Sequence, residues 1–231
     1  MLRPAIALIA LLPLLPGCAL PPNTALRDWA RLASILADHP AAASRDGLLA
    51  QQEALAVYLY ALSVLATEDS ILTFRADAFA PLAGRAAAAD PAAGPAVAGI
   101  GRLLAAAQAA NPAPGARARS AGSATVIEDL RLRPLIRAAD APVQVLVGTL
   151  SRGTAGMTGP EEQTYRQVLA AIGEGHAMLA ARAADIRQRE VAREIQAQED
   201  RLRRLALILA PDSAVGLRPN PAGMVGAVVQ P

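Results

Sequence analysis

The chain has 231 residues, with 22 arginines and no lysine set against 20 Asp and Glu, for a formal net charge of +2. That near-balance, with no basic tract interleaved with aromatics, excludes the electrostatic footprint of a nucleic-acid binder, and a single cysteine excludes an internal disulfide framework and a thiolate zinc site. Aromatic residues make up only 3% while alanine and leucine abound, a composition that favours closely packed helices.

The N-terminus carries Arg3 and then an apolar run from Ala5 to Leu15, closing on Leu15-Pro16-Gly17-Cys18. A short positive segment followed by an apolar one of this length is the pattern of a secretory signal. It falls short of the roughly 20 apolar residues that cross a bilayer. The small Gly17 precedes Cys18, the only cysteine, and an odd thiol in an exported chain needs a role other than a disulfide. Over residues 1–19 the arrangement resembles a bacterial lipoprotein signal with its lipobox. The resemblance implies cleavage between Gly17 and Cys18, acylation of Cys18 with palmitate-type chains, and a stable membrane anchor, because several acyl chains hold where one does not. Ala19 in the second mature position implies sorting to the outer membrane, facing the periplasm, with the periplasmic face of the inner membrane as the alternative. Arg3 leaves with residues 1–17 and no acid does, so the remainder carries +1. Residues 18–23 read as the lipidated tether, 24–210 as a helical-bundle domain and 211–231 as an extended or disordered tail.

Asn23 or Thr24 is placed to cap a first helix that runs to about Asp38 and ends at His39-Pro40. Trp29, Leu32 and Leu36 give it one apolar stripe. A second helix starts near Ser44 and carries Leu48, Gln52, Leu55, Leu59, Leu62 and Leu65 on one face. Its pattern extends through Ile71, Leu72, Phe79 and Leu82, with Thr67-Glu68-Asp69-Ser70 either an exposed face or a break between two helices. Pro81 is expected to kink or end it, and Asp90-Pro91 and Gly94-Pro95 mark a turn. No apolar stretch after Cys18 reads as long enough to cross a membrane.

A third helix covers about 95–110, where Gly99 and Gly101 allow a close neighbour. Asn111-Pro112-Ala113-Pro114-Gly115 is a loop. A fourth element runs from about 123 to 151, with Thr125-Val126-Ile127-Glu128 in capping-box form, a bend at Pro134 and a restart at Asp140-Ala141-Pro142. Its valine run, Val143 to Val147, is read as helix because a lone strand has no partner. Thr158-Gly159-Pro160-Glu161 opens the longest helix, to about Leu209. There Tyr165, Leu169, Ile172, His176, Leu179, Ala183 and Ile186 form one stripe, which resumes one residue out of step at Val191, Ile195, Gln198, Leu202, Leu205 and Leu209. Such a slip is the drift expected of a nearly straight helix, on the order of 70 Å long. In the tail, Met224-Val225 and Val228-Val229 are placed to pack on the bundle.

The fold expected is therefore all-α: an elongated antiparallel bundle of four to six helices with a long C-terminal helix over about 160–209. Little in the chain points to chemistry. His39 and His176 are the only histidines and neither has a helical metal-pair partner, and no nucleophile elbow or phosphate loop is present. No metal, cofactor or nucleic acid is expected, and no catalytic residue. Glu68 and Asp69 diverge around a helix, and the arginines at 131, 133 and 137 and at 201, 203 and 204 suit solvated faces or lipid headgroups. Gly173-Glu174-Gly175-His176 stands out, since glycine inside a helix costs about 1 kcal/mol. It reads either as a thin place where Glu174 and His176 meet a ligand or partner, or as close packing with His176 bonded in the core. The function expected is that of a non-enzymatic envelope lipoprotein that contacts an unknown envelope protein. The alternative is a periplasm-facing module holding a small or apolar ligand between helices near Gly99, Gly101 and residues 173–176.

Overall fold

The computed structural model describes residues 23–39, 45–67, 70–110, 124–156, 159–209 and 223–229. Gly17, Cys18, Glu68, Asp69 and most of the tail lie outside them. The described residues form seven helices and two short strands. In chain order these are α1 (Thr24–Ala37), α2 (Asp46–Leu65), β1 (Ser70–Phe74), α3 (Ala76–Ala89), α4 (Ala93–Ala109), α5 (Ala124–Gly153), α6 (Pro160–Arg182), α7 (Arg189–Leu209) and β2 (Val225–Val229). The fold is an all-α bundle, with seven helices among the described residues where the periodicity suggests four to six.

α2 is the centre. Fifteen of its 20 residues are buried, so it meets protein on nearly every side. It packs against α1, α3, α4 and α5, and the other helices continue the arc from α5 through α6 and α7 back to α1. By length and apolarity α2 qualifies as a membrane span, contrary to the sequence expectation, but the bundle buries 83% of that stretch. Its apolar excess is spent on the core.

Consecutive helices run antiparallel. Ser34 Oγ donates to Ala56 O and Gln52 Nε2 to His39 O, which sets α1 against α2. Arg85 meets Asp46, and Gln51 Nε2 bonds Ala86 O, which sets α2 against α3. Across α5 and α6, Gln144 Nε2 bonds Gly173 O while Arg133 Nη2 bonds Ala184 O.

The helix ends differ in detail from the sequence signals. Asn23 holds the N-cap position of α1 but lies at φ 66° and makes no side-chain cap bond, a left-handed conformation that asparagine tolerates. Pro81 sits within α3 without ending it, and α5 passes through Pro134 and Pro142 without the expected restart. Gly159, Pro160 and the acidic Glu161 and Glu162 open α6, with proline and carboxylates where the first turn favours them.

Two larger departures matter more. The expected helix over 160–209 is two helices, broken at residues 183–188. There Asp185 N–H bonds Arg182 O and Gln188 N–H bonds Asp185 O, tight turns of the three-residue kind. Arg201 pairs with Glu174 and Arg182 with Glu194. In a continuous helix residues 174 and 201 would stand about 40 Å apart, so α7 has folded back along α6. The one-residue slip between Ile186 and Val191 marks this turn rather than helical drift. Folding back lets both apolar stripes face the core, and Leu179, Ile186, Val191, Ile195 and Leu202 are all buried.

Ser70–Phe74 is a strand, where the pattern suggested continued helix. Its Ile71, Thr73 and Phe74 are β-branched or aromatic, and burial alternates along it. It pairs antiparallel with β2, Ser70 opposite Val229 and Phe74 opposite Val225. Arg75 N–H extends the ladder to Met224 O. Met224 and Val225 are buried beside α2, so the C-terminal segment closes one end of the core. Deleting residues 223–231 removes two buried side chains and the partner of β1. We expect a loss of about 3–5 kcal/mol, read as a lower urea midpoint with most helical signal retained.

Candidate functional site

A helix buried on nearly every side must satisfy its inward polar groups with neighbouring helices. α2 places Tyr58 in the core, fully buried, opposite His176 of α6. The Tyr58 hydroxyl lies 2.8 Å from His176 Nε2, and Nδ1 lies 2.9 Å from Asp140 Oδ1 of α5. An ionised carboxylate only accepts, so Nδ1 carries the proton and Nε2 accepts from Tyr58. Gln144 completes the cluster, donating to Asp140 Oδ1 and to Gly173 O.

The electrostatics follow from this order. Burial pushes His176 below the ordinary imidazole value, against the pull of the Asp140 carboxylate. Burial acts to raise Asp140, but hydrogen bonds from His176 and Gln144 outweigh it and hold the carboxyl below its usual range. Burial pushes the Tyr58 phenol well up, aided by the Asp140 charge. The cluster is thus a neutral imidazole between a phenol and a carboxylate.

The two glycines beside it are places of close approach. A Cβ on Gly175 would come within 2.8 Å of the Trp29 ring, and one on Gly173 within 3.2 Å of both Gln144 and Val147. Trp29 therefore lies directly on the α6 backbone. Glu174 points elsewhere. It is exposed and pairs with Arg201, so Glu174 and His176 do not converge on one site. His176 is fully buried and both its ring nitrogens are occupied from within, which matches the close-packing reading.

A second polar seam joins other helices. Gln52 Nε2 donates to Tyr165 Oη at 2.8 Å, and Tyr165 donates to Ala37 O at 2.9 Å. His39 stacks on Tyr165 with centroids 5.7 Å apart. Thr149 Oγ1 donates to Gln51 Oε1. The arginine clusters are largely engaged: Arg133 with Ala184 O, Arg201 with Glu174 and Arg203 with Glu199.

Gly99 and Gly101 lie away from residues 173–176, on α4, and each lines its own groove. One, about 340 Å³, runs between α3 and α4 over Phe74 and Phe79. The other, about 460 Å³, is shallower and passes Gly99, Pro142 and Val145. Sequence reasoning found His176 but not its partners Tyr58 and Asp140, nor the first groove. The available signal was polar residues such as Gln51, Gln52 and Thr149 inside apolar stripes.

No family model, curated protein or solved structure matches the chain.

Two measurements check the cluster. Tyr58→Phe leaves Nε2 of His176 buried without a donor and is expected to cost about 1–3 kcal/mol in equilibrium unfolding. The pH dependence has a definite sign. The folded state holds His176 below its unfolded value of about 6.5, so below that pH the unfolded chain binds the proton first. The stability is complete above about pH 6.5 and is lost as pH falls toward the folded value. Urea midpoints should drop between about pH 7.5 and 5, with a shallower slope in His176→Gln. Half-buried His39, lowered by burial in the same direction, supplies the remainder.

Proposed function

We propose that the chain is a lipid-anchored envelope protein on the periplasmic side of the outer membrane, acting as a non-enzymatic helical module that contacts a protein partner. The observation that carries the reading is Leu15-Pro16-Gly17-Cys18 after an apolar run, with Cys18 the only cysteine. Thr24 starts α1 only six residues after Cys18. Such a connection spans at most about 20 Å, so an anchor at Cys18 holds the bundle close to the bilayer. The imidazole, phenol and amide groups of the interior join helices to one another, which suits a scaffold. For the partner contact, Leu207 and Ile208 of α7 stand out, 77% and 61% exposed beside Arg203 and Arg204. Two adjacent large apolar side chains in water favour association.

The test compares wild type with Cys18→Ser by intact mass and membrane fractionation. We expect acyl mass on Cys18 and outer-membrane fractionation for wild type, with the serine form unprocessed or misplaced. A wild-type protein that is soluble and carries no lipid overturns the reading.

A further inference from the structure

The groove between α3 and α4 has the build of a binding site. Phe74, at the end of β1, and Phe79 of α3 meet edge to face with centroids 5.3 Å apart and form its floor. Its walls are small: Ala80 on α3 faces Ala98 and Ala105 on α4. Gly101 sets the depth. A Cβ there would stand 3.0 Å from the Phe79 ring, so the ring rests against the α4 backbone. From Ala98 to Ala105 the groove follows two turns of helix, about 10 Å, and its volume is about 340 Å³. Methyl walls over an aromatic floor offer dispersion contact without a side-chain donor or acceptor.

One charge breaks this apolar lining. Arg102 is exposed and stands on the rim that this groove shares with the shallower one past Gly99. Among the described residues it has no hydrogen-bond or ion-pair partner. Asp77, next in sequence to the lining residue Ala76, pairs with Arg75 at 3.7 Å. The rim therefore presents one uncompensated guanidinium beside an apolar trough. Gln108, which accepts from the Phe74 backbone amide, pins β1 to α4 and keeps the floor in place.

We propose that this groove binds a single-chain anionic amphiphile, its alkyl chain over Phe74 and Phe79 and its anionic head on Arg102. An apolar groove alone would accept any grease; the unpaired guanidinium selects a head that is negative. A guanidinium also suits a carboxylate in particular, because its donors match both oxygens.

The probe is decanoic acid carrying a diazirine on its chain. It is photolysed with the purified full chain, in nanodiscs where the protein carries lipid and in plain buffer where it does not, and adducts are mapped by peptide mass. Adducts should fall within residues 74–83 and 98–105. Decanoate should compete for labelling about threefold better than decanol, within the range an exposed ion pair supplies. Arg102→Gln should erase that difference while leaving decanol competition unchanged. Ala105→Leu and Ala80→Leu, both at exposed wall positions, should each block labelling with the helical signal intact. Adducts outside the groove, equal competition by decanol on wild type, or labelling that survives both wall substitutions overturns the proposal. These results do not depend on whether Cys18 carries lipid, so failure here and failure of the anchor are separately visible.

Discussion

The structure depends on the near-complete burial of α2. A helix with protein on every side has no water to satisfy its polar side chains, and each unpaired group would cost about 1–3 kcal/mol. α2 carries Gln51, Gln52, Tyr58 and Ser63 in that position. Every one finds a partner, and three of the four reach another helix: Gln51 to Thr149 on α5 and Ala86 on α3, Gln52 to Tyr165 on α6, and Tyr58 to His176 on α6. Apolar contacts would tolerate sliding of one helix along another. These bonds do not, because a shift by one turn would strand a buried donor. The polar residues of the core therefore act as register marks for helices whose alanine-rich surfaces are otherwise interchangeable.

The same demand for partners places a carboxylate, an imidazole and a phenol in line around His176. A carboxylate, an imidazole and a phenol in line can move protons when one end is open to a substrate. Here the phenol end is sealed in the core, while the carboxylate end is 32% exposed and also binds Gln144, which in turn holds the Gly173 carbonyl. Of the two glycines that thin α6, Gly175 admits Trp29 from α1 and Gly173 admits Gln144 and Val147 from α5. Four helices, α1, α2, α5 and α6, thus meet at one level, and the imidazole is the piece that spans them.

Much of the fold was legible in the sequence because proline and glycine punctuate it. His39-Pro40, Asp90-Pro91 and Asn111-Pro112 separate α1, α2–α3 and α4 as read. Where punctuation fails, so does the reading. Residues 183–188 contain neither proline nor glycine, and only the five-residue step from Ile186 to Val191 betrays the turn between α6 and α7. β1 was hidden for a different reason: its partner lies about 150 residues downstream, and no local pattern encodes so distant a pairing. His176 was visible as an oddity, but its role was not, since Tyr58 is 118 residues away and Asp140 is 36. The groove depends on Phe79 lying against Gly101 across a helix hairpin, which only three-dimensional packing reveals.

Antiparallel order divides the bundle into two ends with different characters. The start of α1, the end of α2, the small sheet and the start of α3 gather at one end, as the grouping of Arg27 and Arg31 with Tyr60, Thr67 and Ser70 shows. The opposite end carries the Asp46–Arg85 and Asp90–Arg152 ion pairs. An anchor at Cys18 would bring the first end to the bilayer, and the groove over Phe74 and Phe79 lies in that half. Leu207 and Ile208 lie in the other half. Glu174 pairs with Arg201 near the middle of α7, and Tyr165 meets the last turn of α1, so the C-terminal turn of α7 stands at the level of the end of α1. The two proposed contacts then do not compete for space: amphiphiles would be met on the membrane side and a protein partner on the side facing the periplasm. Such a layout also sets the role of β2. Because it closes that end of the core and abuts the groove floor through Phe74, loosening it would expose apolar surface at the end that an anchor at Cys18 would hold to the bilayer.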